Sequence, residues 1–326
     1  MKWSLLMCCT AVLALDGCAK PAPPVAKPAP APVSAVPGNH DPSTFRFETA
    51  DIARFWAAYD QMPTSGEPAA LFDRAYLDPG TPGLHGFITD RIRSASHLID
   101  VIQHHPKYYA AIRANTLRVS TIEPRVRDAL RTFKGLYADA VFPDLYFVIG
   151  ALSSGGTATP DGLIIGTEIF SRSPDVPTDE LDPWLFAVTR TIDDLPLIIV
   201  HEWVHFQQVT SAEHLLGQII QEGAADFLAS LVTHGTINAH VYTYGYAHEA
   251  ELKQQLVADL PGDSRAHWLY NGNDAKDRPA DLGYFMGYRI TQAYYERAAD
   301  KRQAIIDILH VKDFDKFLAD SGYLAH

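Results

Sequence analysis

Apolar residues recur at spacings of three and four in three stretches of the first half of the chain. These are DIARFWAAYD (51–60), TDRIRSASHLIDVIQ (89–103) and EPRVRDALRTFKGLYADA (123–140). That period predicts amphipathic helices, with Asp51 and Thr89 as candidate start signals and Pro124 in a first turn. His104 and His105 close the second helix just before Pro106. Adjacent helical residues point in different directions, so this pair reads as a helix end rather than as two ligands of one metal.

The pattern changes after residue 140. DLYFVIG (Asp144–Gly150) and GLIIGTEIF (Gly162–Phe170) are short, β-branched and aromatic, which predicts two strands. The connector ALSSGGTATPD has the turn residues of a hairpin or a longer loop. Its Gly-Gly pair is followed by a strand and by no Gly-Lys-Ser/Thr, which excludes a phosphate-binding loop. From about Asp182 to the end the pattern is helical again, without an internal repeat. The expected class is therefore α+β, mostly helical, with a small sheet.

Charge narrows the partners. The chain of 326 residues carries 39 acidic and 27 basic side chains, a formal net charge of -12. A nucleic-acid partner would need a concentrated basic face, so none is expected. The first residues read as a targeting segment: Lys2 precedes an apolar run, Leu5 to Leu15, that is too short to span a bilayer. The run ends in LDGC, which resembles a bacterial lipobox with Cys18 as the lipidated first mature residue. The other two cysteines, Cys8 and Cys9, lie in the removed part, so no internal disulfide is expected. AKPAPPVAKPAPAPVSAVPGNHDP then reads as an extended Pro/Ala-rich tether. The expected layout is a signal peptide over 1–17 and a tether over 18–42. One domain follows over 43–326, with a helical part to 140 and the chemistry beyond. The expectation is a lipid-anchored protein of the bacterial cell envelope. Ala19 after Cys18 favours the outer membrane, facing the periplasm, by resemblance to lipoprotein sorting signals.

The chemistry concentrates in IIVHEWVHFQQ, Ile198 to Gln208. A helix advances about 100° per residue, so His201 and His205 project from one face and can share one metal ion. Glu202 can reach a water at that ion without being a ligand, which is the physical content of H-E-x-x-H. The surrounding helix is apolar nearly all round, so its polar side chains must be satisfied, and a Zn2+ ion would do so. The third ligand is expected in LLGQIIQEGAADFLASLV, where Glu222 stands in an apolar helical run and Asp226 lies one turn further on the same face. Asp226 would orient a ligand histidine from behind. TSAE (Thr210–Glu213) reads as a capping box, and a helix starting there would carry Glu222 too far along. His214 is then the alternative third ligand. Glu202 would act as general base, and Tyr288 is the candidate donor to the oxyanion, among Tyr244, His248 and Tyr284.

Glu-x-x-x-Asp after H-E-x-x-H resembles the thermolysin-like gluzincins. Five stretches, YFVIGALSSGGTATPDGLIIGTEIF, LIIVHEWVHFQQ, LLGQIIQEGAADFLA, YGYAHEAEL and RPADLGYFMGYRITQAYY, together resemble a family of predicted zinc-dependent proteases related to the bacterial gliding-motility lipoprotein B. The resemblance runs from about Phe133 to the C-terminus. It implies a gluzincin-like zincin core with the sheet beside the HEXXH helix, His201, His205 and Glu222 as zinc ligands and Glu202 as base. It implies no particular substrate; the expected metallopeptidase would act on a peptide or protein. By analogy it makes GLIIGTEIF the edge strand along which a peptide pairs. The contrasting expectation is a non-catalytic metal-binding envelope lipoprotein that acts as a scaffold.

Overall fold

The computed structural model describes residues 38–272 and 275–325. The signal segment, Cys18 and the tether up to residue 37 lie outside the described residues. The last tether residues already touch the domain: Phe142 N donates to Asn39 O at 2.6 Å, and His40 Nδ1 lies 3.0 Å from Ala140 O.

Four short strands form one mixed sheet: β1 (Phe47–Glu48), β2 (Leu145–Val148), β3 (Gly156–Thr159) and β4 (Gly162–Gly166). Their order is β1-β2-β4-β3, with β1 and β4 parallel to β2 and β3 antiparallel to β4. The first half of the chain supplies α1 (Ala50–Gln61), α2 (Pro68–Phe72), α3 (Pro82–Phe87), α4 (Ala95–His104), α5 (Pro106–Leu117) and α6 (Glu123–Leu136). The second half supplies α7 (Pro183–Val188), α8 (Leu195–Gln207), α9 (Leu215–Thr233), α10 (Ala239–Ala247), α11 (Glu249–Asp259), α12 (Leu282–Arg297), α13 (Lys301–Leu309) and α14 (Phe314–Ser321). The class is α+β, mostly helical.

Several local expectations are corrected. GLIIGTEIF is not the edge strand. Its strand β4 is buried at every position and sits between β2 and β3, where both sides of its ladder are paired. The edge on that side is GTAT, hidden in the connector, whose glycine and threonines suit a half-buried strand, and β1 forms the other edge. The last residues, Thr167–Phe170, leave the sheet as a 3-10 turn. Thr89 does not start a helix. Arg93, at φ 68, interrupts that segment, and Ser94 caps α4 by accepting from His97 N at 3.1 Å. Asp51 caps nothing: its carboxylate is buried inside α1, where it pairs with Arg54 and accepts from Thr81 N.

The sheet is covered on both faces, and the alternation of strand side chains decides which residue meets which cover. Tyr146, Ile164, Thr157 and Thr159 face α3: Gly83 abuts Tyr146, and a Cβ on Gly86 would lie 3.2 Å from Ile164 Cδ1 and 3.3 Å from Thr159 Cγ2. The opposite face meets α8, where Trp203 packs edge-on against Phe45 at 5.1 Å between ring centroids. A Cβ on Gly156 would lie 3.4 Å from Glu202 Oε1, so the edge strand runs directly beside that carboxylate.

The turn from β2 into β3 hangs on buried polar groups. Glu168 accepts from Gly150 N at 2.8 Å and Leu152 N at 3.3 Å. Tyr109 OH donates to Gly150 O and Tyr76 OH to Ile149 O. Burial pushes the Glu168 carboxyl up to about 7, against the pull of the backbone N–H groups that it accepts. A carboxyl raised by folding stabilises the fold below its ordinary value of about 4.3, and that stabilisation is lost as pH rises through about 7. The loss amounts to about 3 kcal/mol. Glu168→Gln resembles the protonated acid, so its stability relative to wild type is expected to improve by about that amount between pH 4.5 and pH 8. Urea unfolding of both proteins in EDTA at the two pH values checks this; an unchanged difference would assign the pH dependence to other groups.

Candidate metal centre

Both site helices are built from apolar runs that bury nearly all their faces. Pro196 lies in the first turn of α8, after a turn closed by a Thr191–Asp194 capping box. The chain leaves α8 at Gln207, and TSAE does not begin the next helix. Gln221 holds that connector, donating to Thr210 O and accepting from Ala212 N at 3.0 Å, so α9 starts only at Leu215. The late start places Glu222 two turns into α9 and opposite the two histidines. His214 is excluded: its side chain is 82% exposed and pairs with Asp263 at 2.8 Å.

His201 Nε2 lies 3.2 Å from His205 Nε2, and each lies 3.5 Å from Glu222 Oε2. His201 and Glu222 are buried and His205 is half-buried. For a tetrahedral zinc about 2.0–2.1 Å from its donors, neighbouring donors stand about 3.3 Å apart. The three atoms therefore already have the spacing of three corners of such a site.

The ring protons support the same conclusion. Gln208 Nε2 donates to Gln221 O at 2.9 Å, which turns Gln208 Oε1 towards His205 Nδ1, also at 2.9 Å. A carbonyl oxygen only accepts, so His205 carries its proton on Nδ1. His201 Nδ1 faces Asp226 Oδ1 at 2.8 Å, a short contact but not a linear hydrogen bond. In the neutral rings both Nε2 lone pairs then point at each other and at a carboxylate, an arrangement that calls for a cation between them. Without a metal, a proton meets that need. Burial opposes a charged His201, but Asp226 and Glu222 outweigh it and raise it to about 10. Burial would likewise raise Glu222, yet the two histidines hold it well below the usual carboxylate range.

The outer contacts differ from expectation. Asp226 is where the helix period put it, beside His201, and it also accepts from Tyr242 OH at 2.7 Å. Among the described residues Tyr288 makes no hydrogen bond or ring contact with the three donors: its ring packs on Phe227 and Tyr242, and its hydroxyl meets Ser230 at 3.4 Å. Tyr244 stacks on His248. The tyrosines at the cluster are Tyr284, whose ring stacks on His201 at 6.2 Å, and Tyr270, whose hydroxyl donates to Glu222 Oε1 at 3.0 Å. Tyr284 reaches the site because α9 and α12 cross in backbone contact. A Cβ on Gly223 would sit on the Gly287 carbonyl carbon, and one on Gly287 on the Ile219 oxygen. Tyr270 sits at φ 58, a left-handed conformation unusual for an aromatic residue. It is held there because its N–H donates to Asp281 Oδ1 at 2.6 Å, while Asp281 N donates to Asn271 Oδ1 at 2.9 Å. Nothing local in YNGNDAKDRPAD marks Tyr270 as a site residue; only the bent backbone does.

Tyr270 engages one carboxylate oxygen and leaves the other facing the histidines. Tyr270→Phe is expected to weaken zinc binding about 10-fold, as is usual when a group supporting a ligand is lost. Competition with a chromophoric chelator measures this, and an unchanged affinity would reduce Tyr270 to packing.

Comparison with protein-family models, curated proteins and solved structures gives no match to this chain. The family resemblance therefore stands on the quoted motifs, and the site on its geometry.

Proposed function

We propose that this protein is a zinc-dependent metallopeptidase with a zincin-type, gluzincin-like core, akin to the predicted proteases that its motifs resemble. The observation that carries the reading is the triangle of His201, His205 and Glu222 at tetrahedral spacing, with a half-buried Glu202 beside a strand edge that no strand pairs among the described residues. A zinc ion held by those three residues supplies a Lewis acid and lowers the pKa of a water to about 7. The remaining steps belong to the chain. Gly166 N donates to Gly155 O, so odd-numbered residues of β3 face β4, and the backbone groups of Gly156 and Ala158 face outward, the Gly156 carbonyl already accepting from Ser154 Oγ at 2.7 Å and Thr157 Oγ1 at 2.8 Å. An extended peptide pairs there and lays its scissile bond beside Glu202. Glu202 accepts a proton from the attacking water and delivers it to the leaving amine. Asp226 and Gln208 hold the two rings with Nε2 inward.

The test is hydrolysis of a casein-derived peptide mixture by the zinc-supplied full chain, with Glu202→Gln and metal content measured alongside. Zinc bound without Glu202-dependent hydrolysis would leave the scaffold reading instead. An envelope location through lipidated Cys18 completes the proposal and rests on the apolar run and LDGC. A diacylglyceryl mass on the N-terminal peptide supports it; an intact Met1 terminus removes it. Among the described residues no helix is long and apolar enough to cross a membrane.

A further inference from the structure

We infer that Arg91 forms a carboxylate-binding subsite at the free edge of β3, so that the substrate is a peptide bearing an acidic group close to the scissile bond. This rests on the peptidase reading above and deepens it.

Arg91 follows α3, in the turn 88–92. Its backbone is fixed by Ser153 Oγ, which donates to Arg91 O at 2.9 Å, and its side chain by Nε, which donates to Thr157 Oγ1 at 3.0 Å. Thr157 is the residue of the edge strand next to Gly156, which abuts Glu202. A guanidinium has five N–H donors, and one is used here. The four on its two terminal nitrogens have no partner among the described residues, and no carboxylate there pairs with it. The side chain is half-buried, so water screens it less than a fully exposed charge.

Strand alternation supplies the register. Gly156 and Ala158 turn their backbone groups outward and their side-chain directions towards α8, whereas Thr157 and Thr159 point towards α3. A peptide added to this edge alternates in step with β3. The substrate residue paired opposite Thr157 therefore directs its side chain to the α3 face, where Arg91 is anchored. Its chain neighbour lies opposite Gly156, at Glu202. A planar fork with free terminal N–H groups is suited to a carboxylate, which it can bind through two parallel hydrogen bonds. A glutamate or aspartate side chain and a free C-terminus offer the same group.

The test is binding to the zinc-supplied full chain carrying Glu202→Gln, which prevents turnover. The probes are fluorescein-labelled, C-amidated octapeptides of Ala and Thr with one Glu moved through each position, their Gln counterparts, and one all-neutral octapeptide with a free C-terminus. At one register, Glu or the free terminus is expected to bind about 10-fold more tightly than its neutral counterpart. The preference should vanish with Arg91→Gln, persist in part with Arg91→Lys, and turn to Lys-containing peptides with Arg91→Glu. The amidated series responding alone identifies a side-chain acid, and the free-acid peptide alone a C-terminal carboxylate. Equal Glu and Gln affinities with Arg91 present, or no binding of any probe, overturns the subsite. Selective binding with no hydrolysis by the protein retaining Glu202 would sink the peptidase reading and leave the subsite standing.

Discussion

Glu202→Gln is expected to bind zinc like the wild type and to hydrolyse peptides about 1,000-fold more slowly. Glu202 is not one of the three converging donors, so its loss should not empty the site. It follows the candidate ligand His201 on α8, but its carboxylate lies against Gly156 of the edge strand, where a paired peptide would be exposed to it. Glutamine keeps the size of the side chain but lacks the negative charge, and with it the ability to accept a proton at neutral pH. A large effect confined to kcat is the signature of a group used only in the transition state. Glu202→Asp, one methylene shorter but still basic, should recover part of the rate. Equal activity in Glu202→Gln and wild type, at matched zinc content, would remove Glu202 as the base.

His205→Ala should lose the bound zinc and, with it, the zinc-dependent part of the protein's stability. A ligand at a thousand times its dissociation constant stabilises the folded state by about 4 kcal/mol. In wild type, zinc added to EDTA-treated protein should raise the melting temperature accordingly; in His205→Ala the two melts should coincide. The effect is expected to be large because, among the described residues, only His201, His205 and Glu222 converge at zinc spacing. His214 is exposed and engaged with Asp263, so it cannot replace the lost ring. Elemental analysis should give one zinc per wild-type chain and none in the variant. A melt of His205→Ala that still responds to zinc would show that the metal binds elsewhere and would break the assignment of the triangle.

Both effects concern residues that could be found from local pattern. Four residues of helix place His205 one turn from His201, and the same period places Asp226 one turn from Glu222, whatever the rest of the chain does. An isolated carboxylate in an apolar helix costs too much to stand unpaired, which singled out Glu222. Element types were legible for the same reason, since hydrophobic period reflects one face of one element. Ends were less so. Thr89 and TSAE each carry a capping signal, but Ser94 and the Gln221-held connector make the contacts that determine where α4 and α9 begin. GTAT is too short and too weakly apolar to announce itself as a strand, and becomes one only by pairing with β4.

By itself, then, the sequence determined the mostly helical α+β class, the two helices that carry the candidate ligands, and the candidate roles of His201, His205, Glu202, Glu222 and Asp226. Each follows from interactions within a few residues, where helical geometry leaves no choice. The tertiary structure alone decided that the two helices meet, through the late start of α9. It also decided that β3 is the edge, that Tyr270 and Tyr284 rather than Tyr288 line the cluster, and that Arg91 sits beside the edge strand. Those placements depend on which distant surfaces pack: the Gly223–Gly287 crossing, the strained backbone at Tyr270, and a sheet order that puts β4 between β2 and β3. The helix crossing and the parallel pairing of β2 with β4 join separate segments of the chain, and the bend at Tyr270 joins residues that no helical or strand period relates.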